Sequence, residues 1–137
     1  MLRPEVIRRR LGKLEEYLGI LERTRHYSLQ EFLDDPERYG SAERFLQLAI
    51  EALLDMASHV IAEQGLGEVN QSRDIPELFR AAGYIDDDLK ERWVRMIGFR
   101  NILVHDYLEV DRRLVHQVIQ HDQDDLRALA KVFARFL

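Results

Sequence analysis

The residue types best suited to chemistry lie together in the stretch RNILVHDY, residues 100–107. Arginine forms paired hydrogen bonds with phosphate or carboxylate groups, so Arg100 could hold an anion. Histidine as a residue type gains and loses a proton near neutral pH, so His105 could act as an acid or a base. Asn101 and Tyr107 add further hydrogen-bonding groups, and this density of polar side chains in a helical pattern is unusual.

Helical geometry does not gather these side chains on one straight helix. At 100° per residue, Asn101 and His105 share one face if the helix continues to Tyr107. Arg100 and Tyr107 share another face, about 100–140° away from the first. A joint site therefore needs a fraying helix end or a second subunit that closes the gap.

A purely structural interpretation of the same residues is also open. His105 would then interact with the negative end of the helix dipole, and Arg100 would pair with a carboxylate. Tyr107 would pack on the last helix. In either interpretation the Ile-Leu-Val segment at 102–104 is expected to be buried.

Apolar residues recur with helical spacing along the whole chain, and no segment alternates as a strand would. The pattern predicts a helix over 3–26 and a short second helix that begins at Ser28, with Glu31 completing a capping box. Asp35-Pro36 begins a long third helix, which ends at Gly65. The apolar arc of that helix is wide, which predicts a central position in the fold.

The second half of the chain continues the helical pattern. A short helix is predicted over 76–82, and one aspartate of 86–88 caps the helix that carries the motif. Asp111 is expected to begin a single last helix whose inner face extends to Leu137. The whole chain, 1–137, is therefore expected to form one all-α domain, an antiparallel bundle of four to five helices.

The composition excludes several classes of function. The 137 residues include no cysteine, which rules out thiol catalysis and cysteine-bound zinc. A net charge of -5 argues against general coating of nucleic acids, although a local basic cleft remains open. The N-terminus lacks the apolar region of a signal peptide, and we expect no stretch to approach the roughly 20 apolar residues that span a bilayer. We expect a cytoplasmic protein.

The pattern R-x4-H-x-Y, present as Arg100, His105 and Tyr107, resembles the signature of the HEPN superfamily in its HepT branch, the former DUF86 group. The segments QLAIEALLDMASHVIAEQGLG, AAGYIDDDLKERWVRMIGFRN and YLEVD resemble the same branch, so the likeness covers well over half of the chain. The resemblance implies a HEPN-like homodimer in which two R-x4-H motifs face each other across a cleft.

The resemblance also implies an activity: a metal-independent endoribonuclease toxin of a type VII-like toxin–antitoxin pair. On this view His105 takes the proton from a ribose 2'-OH and returns one to the leaving 5'-oxygen. Arg100 stabilises the charge that develops on the phosphate, and Asn101 orients the histidine or the phosphate. The substrate would be tRNA or mRNA, with no DNA, membrane or cofactor involved.

A second implication concerns silencing of the toxin. The implied partner is a minimal nucleotidyltransferase antitoxin that transfers AMP from ATP to Tyr107. An added nucleotide phosphate beside the arginine and the histidine would occupy the cleft and repel RNA. The alternative function is a non-catalytic helical subunit that serves this nucleotidyltransferase as a partner, a substrate or a substrate-binding platform.

Other polar residues on the helices have both functional and structural interpretations. Arg92 and Arg95 could extend a basic track for RNA, or they could pair with neighbouring acidic residues such as Asp88. Asp55 and His59, four residues apart, are expected to form a buried structural pair or a dimer contact.

Two histidines and a glycine in the helices also have alternative interpretations. His116 and His121 lack zinc-ligand spacing and are expected to face solvent, so no metal site is predicted. Gly98 lies inside a helix, where a close approach of a second subunit would explain it. A tolerated, neutral glycine is the alternative.

Overall fold

Side-chain caps set the starts of the second and third helices, and a glycine sets the end of the third. The Ser28 hydroxyl accepts a hydrogen bond from the Glu31 amide at 3.1 Å, and the Glu31 carboxylate accepts one from the Ser28 amide at 3.0 Å. The Asp35 carboxylate accepts from the Glu37 amide at 2.9 Å, directly before the proline. Gly65 ends the long helix in the left-handed conformation, with φ of 62°. These four positions confirm the predicted caps.

The computed structural model describes residues 2–137, and these form α-helices joined by short turns. The helices are α1 (Pro4–Thr24), α2 (Leu29–Asp34), α3 (Pro36–Gln64), α4 (Ile75–Ala81), α5 (Asp87–His105), α6 (Arg112–His121) and α7 (Gln123–Ala134). Two short 3-10 turns lie at Ser72–Asp74 and Tyr107–Glu109. Over residues 2–137 there is no strand, as the sequence pattern predicted.

Helix α3 is the centre of the bundle, as its wide apolar arc predicted. It packs against α1, α2, α4, α5, α6 and α7. By length and composition α3 could cross a membrane, which corrects the expectation that no stretch comes close. However, 56% of its most apolar 18-residue window is buried inside the fold. Burial against six other helices accounts for its apolar character.

An aromatic cluster joins α4, the start of α5 and α7. The Trp93 ring is fully buried and lies 5.3 Å from the ring of Phe79, centroid to centroid. The Phe133 ring lies 5.4 Å from Phe79 and 6.2 Å from Trp93. Edge-to-face contacts of this kind add to the free energy gained by apolar burial. The cluster fixes the amino-terminal half of α5, so the helix that carries the motif has a rigid base.

The prediction of a single last helix is wrong, because the helix is interrupted at Asp122, which separates α6 from α7. The next residue, Gln123, is fully buried, and its amide donates hydrogen bonds to the Leu21 carbonyl at 2.8 Å and the Ile119 carbonyl at 3.0 Å. These bonds hold the break in place. Leu137, expected on the inner face, is 54% exposed beyond the end of α7.

The expected Asp55–His59 pair is also absent from the part of the chain described, residues 2–137. The Asp55 carboxylate lies on the surface, 3.6 Å from the guanidinium of Arg10. The His59 Nε2 atom instead accepts a hydrogen bond from the Arg3 amide at 3.3 Å. Asp55 therefore links α3 to α1, and His59 links α3 to the residue that precedes α1.

His116 does not face solvent as predicted, because it fills a gap between α6 and α2. Its ring centroid lies 5.4 Å from that of Phe32, and its Nε2 atom lies 3.1 Å from the Tyr27 carbonyl oxygen. His121 is exposed, as expected. Among residues 2–137 no group of three or more metal-ligating side chains is placed to hold a metal ion.

Candidate active site

Helix α5 stops at His105, two residues before the motif ends. Asp106 leaves the helical conformation, with φ of -124° and ψ of 35°, while its amide still donates to the Ile102 carbonyl at 2.9 Å. Tyr107 begins the following 3-10 turn. Because the helix does not continue to Tyr107, Arg100 and Tyr107 do not share a helical face. The helix end inside the motif is one of the two arrangements that a joint site was expected to need.

A carboxylate that the sequence analysis did not identify holds Arg100 in place. Its Nε and Nη2 atoms both donate to the same oxygen of Glu51 on α3, at 3.0 and 2.8 Å. Its Nη1 atom donates to the side-chain oxygen of Asn101 at 3.1 Å. The Arg100 and Glu51 side chains are only 24% and 28% exposed. The motif arginine is thus fixed on the inner side of α5.

His105 and Tyr107 lie on the outer surface instead. His105 is exposed, and Tyr107 is 64% exposed on the turn that follows α5. Within residues 2–137 no contact joins the side chains of Arg100 and His105. The structure brings Arg100 together with Asn101, and it leaves the histidine and the tyrosine open to a ligand or a second subunit.

The expectation that the whole segment 102–104 is buried holds only for Leu103, because Val104 is half-buried and Ile102 is exposed. Leu103 is 6% exposed and packs into the core, whereas Ile102 is 42% exposed. Leu108, just past Tyr107, is 80% exposed. Exposed apolar side chains therefore lie within the motif and directly after it, which is typical of a surface that another molecule covers.

A groove of about 440 Å³ lies beside this surface, between α5 and α6. It is lined by Arg95, Met96, Gly98, Phe99, Ile102, Leu114, Val118 and Asp122. A Cβ atom added to Gly98 would meet no other atom within 4 Å. Nothing in the chain itself therefore requires glycine at this position. At the groove's end, burial and the neighbouring Asp125 raise the pKa of the Asp122 carboxyl.

A second cavity, of about 360 Å³, opens at Arg100 itself. It lies between α3, the turn before α4 and the start of α4, and it is lined by Glu51, Leu54, Asp55, Ser58, Val69, Ser72, Ile75 and Arg100. The ion pair of Arg100 and Glu51 thus lies at the wall of a cavity that small groups can enter, not in the closed core.

The two arginines upstream of the motif differ in their surroundings. Arg92 forms ion pairs with Asp88 at 3.1 Å and with Asp125 at 2.8 Å. The hydrogen bond to Asp125 raises the pKa of Arg92. Its charge is therefore compensated within the chain, as the structural interpretation of this residue expected. Arg95 is exposed at the rim of the apolar groove, where it could still contact a ligand.

Known ribonucleases resemble this chain over most of its length. Residues 12–133 match the family model described as "Ribonuclease HepT-like". The mRNA nuclease HepT of Shewanella oneidensis is 37% identical over 87 residues, which are 64% of this chain and 65% of that relative, just under two thirds of its length. The tRNA nuclease HepT of Aphanizomenon flos-aquae is 29% identical over 121 residues, 86% of this chain and 80% of that relative.

A solved structure matches the fold over almost its full length. It is the tri-AMPylated HEPN toxin of Shewanella oneidensis in complex with an MNT antitoxin, and it superposes with a TM-score of 0.87 at 28% identity. The superposition covers 95% of this chain and 97% of that chain.

Proposed function

The chain belongs to the HepT-like ribonuclease family, with the all-α HEPN fold that its sequence predicted, and we propose that it is the ribonuclease toxin of a toxin–antitoxin pair. Two relatives that bear nuclease names, and a HEPN toxin solved with its antitoxin, support this proposal. The observation that carries the assignment of the site is the fixed guanidinium of Arg100. It lies five residues before an exposed histidine, at the frayed end of the same helix.

The reaction is a transesterification within the RNA strand. The ribose 2'-oxygen forms a bond to the adjacent phosphorus while the bond from phosphorus to the 5'-oxygen breaks, which leaves a cyclic phosphate and a free 5'-OH. An imidazole accepts the 2'-OH proton, and a second imidazole donates a proton to the leaving oxygen. Arg100 stabilises the charge on the phosphate oxygens, and Asn101 keeps its guanidinium in place. Acid, base and charge stabilisation all come from side chains, so this route needs no metal.

The two imidazoles come from two copies of the chain. In one copy Arg100 and His105 occupy different sides of α5, so a single chain does not assemble the site. A second copy that packs on the groove at Gly98 and Ile102 would bury the exposed apolar surface. His105 lies on the same side of α5 as Gly98 and Ile102, so this packing would also bring the two copies of His105 close together. We therefore assign the active site to a cleft between two subunits, with Arg95 at its rim.

The partner that silences the toxin is a minimal nucleotidyltransferase antitoxin. The phenolic oxygen of Tyr107 attacks the α-phosphorus of ATP, pyrophosphate leaves, and AMP stays bound to the tyrosine. The 64% exposure of Tyr107 leaves its hydroxyl accessible to the active site of another enzyme. The added phosphate would compete with RNA for Arg100 in the same cleft. ATP is a substrate of the partner, and both proteins would act in the cytoplasm.

RNA cleavage by the purified, tag-free protein tests the catalytic assignment. His105→Ala is expected to lower the cleavage rate about 100- to 10,000-fold, the usual contribution of a general acid or base. Arg100→Ala should give a comparable loss. His121→Ala is the matched control, because His121 is an exposed histidine at the end of another helix. Cleavage of tRNA and mRNA that survives both motif substitutions would refute the assignment of Arg100 and His105 as catalytic residues.

Intact-mass measurement after co-expression with the nucleotidyltransferase tests the silencing step. The chain should gain one or more AMP units that map to Tyr107, and Tyr107→Phe should abolish the gain. An unchanged gain in that variant would place the modification elsewhere.

A non-catalytic role in a nucleotidyltransferase complex is the second candidate function. The net charge of -5 and the compensated charge of Arg92 favour it, because both weaken attraction to RNA. Expression of the chain alone separates the two functions. Growth arrest by the wild type that His105→Ala abolishes supports the toxin. Normal growth with both the wild type and His105→Ala supports the non-catalytic partner.

A further inference from the structure

The hydrogen bonds of Arg100 leave a defined part of its guanidinium free. An arginine side chain has five N–H donors in one plane. Two of these, on Nε and Nη2, are directed to one oxygen of Glu51, and one on Nη1 is directed to Asn101. One hydrogen on Nη1 and one on Nη2 remain. These two free donors can form charge-assisted hydrogen bonds with the oxygens of a phosphate.

Glu51 is itself fixed in position. It lies on α3, the central helix, and its acceptor oxygen also receives a hydrogen bond from Gln47 at 3.1 Å, one turn earlier. The carboxylate is 28% exposed, so water screens its attraction to Arg100 less than it would at an open surface. The α3 backbone therefore sets the direction of a side chain on α5, across 49 positions of sequence.

We propose that Glu51 is a positioning residue for the reaction, which holds Arg100 so that its two free donors meet the scissile phosphate. The inference rests on the proposed ribonuclease function. Glu51 touches neither the RNA nor the histidine in this scheme, and it acts only through the arginine.

The position of this carboxylate makes a positioning role distinguishable from electrostatic repulsion. A negative charge beside a phosphate site weakens RNA binding, so its removal alone would tighten binding and speed cleavage at low RNA concentration. Loss of positioning acts in the opposite direction on the chemical step, since a displacement of about 1 Å in a reacting group can cost about 100-fold in rate. The two effects therefore separate when binding and turnover are measured apart.

The experiment compares Glu51→Gln and Glu51→Ala with the wild type and with Asp55→Asn. Asp55 is the matched control because it lies one turn further along α3 and lines the same cavity, yet pairs with Arg10 and not with Arg100. We expect kcat to fall about 10- to 100-fold in Glu51→Ala and by less in Glu51→Gln, which keeps a neutral acceptor. Affinity for an RNA with a 2'-deoxy cleavage site, which cannot react, should be unchanged or tighter.

A second measurement observes the arginine directly in the full-length protein. In the wild type the Arg100 Nε–H proton, which is hydrogen-bonded to Glu51, should exchange slowly with water in NMR spectra. In Glu51→Ala it should exchange at the rate of a free arginine, while Asp55→Asn should leave it slow. Assignment of the signal by its loss in Arg100→Lys completes the set.

The outcomes separate the two proposals. If the wild type cleaves no RNA, the proposed function fails, and the exchange rate still decides whether Glu51 holds Arg100. If the wild type cleaves and Glu51→Ala keeps or raises kcat, positioning by Glu51 is refuted while the ribonuclease assignment stands. An equal fall of kcat in Asp55→Asn would also refute it, because that variant leaves Arg100 untouched.

Discussion

Substitution of Gly98 tests where two copies of the chain meet. Gly98 lies inside α5, and alanine there should stabilise the helix by about 0.5–1 kcal/mol because it restricts the unfolded chain. Beyond its own stretch of helix backbone, the added Cβ meets no atom within 4 Å, so no clash offsets this gain. For 137 residues the unfolding entropy is roughly 0.3 kcal/mol per kelvin, so the melting temperature of the isolated chain should rise about 2–4 °C.

The same substitution should weaken the dimer if Gly98 lies at its seam. Gly98→Ala removes the closest approach of the two helices, and Gly98→Leu should prevent it. Sedimentation velocity and thermal melts over a range of protein concentrations measure both effects. Gly12→Ala in α1 is the control, because a Cβ there also meets nothing within 4 Å. That variant should gain stability at every concentration and keep the dimer.

Two results would refute this reasoning. A dimer that survives Gly98→Leu with unchanged affinity would show that the seam lies elsewhere on the chain. A Gly98→Ala variant that melts below the wild type at dilutions where both are monomeric would show that the fold of the single chain itself requires glycine at this position.

Three further predictions concern stability. Phe133→Ala empties a fully buried site in the aromatic cluster and should cost about 3–5 kcal/mol, or about 10–17 °C in melting temperature by calorimetry. Ser28→Ala removes one half of the capping box and should cost about 1 kcal/mol in urea unfolding, whereas Ser28→Gly should cost only a few tenths. Hydrogen bonds from Arg80, and then from Lys90, lower the pKa of Glu77 from 4.5 to about 2. Because this folded-state pKa is depressed, the stabilisation is present above pH about 4.5 and is lost as the pH falls toward 2. The difference in melting temperature between wild type and Glu77→Gln should therefore close across that window, and a difference that persists at pH 2 would contradict the assignment.

Local signals explain why most of the helices could be predicted from the sequence. The capping box at Ser28 and the Asp35-Pro36 pair act within four residues, so the backbone responds to them regardless of the rest of the fold. The wide apolar arc of α3 likewise determines its central position. The break at Asp122 was missed because its cause, the buried amide of Gln123, depends on the Leu21 carbonyl 102 residues away.

The candidate site was less predictable for the same physical reason. The R-x4-H-x-Y spacing identifies the segment, but the partner of Arg100 lies 49 residues upstream, and Glu51 resembles any other acidic residue in a helix. The exposure of Ile102 was also missed. An apolar side chain that faces a second molecule has the same helical spacing as one that faces the core, so the sequence pattern alone does not distinguish them.

The position of Trp93 gives the chain a built-in optical reporter. It is the only tryptophan in the sequence, and it is fully buried in the aromatic cluster on α5. His105 lies twelve positions further along α5, or about 18 Å along the helix. Its emission should therefore be blue-shifted in the folded protein and move to longer wavelength when α5 separates from α4 and α7. RNA or AMP at the far end of α5 should leave the wavelength unchanged, so fluorescence separates loss of the fold from occupation of the cleft.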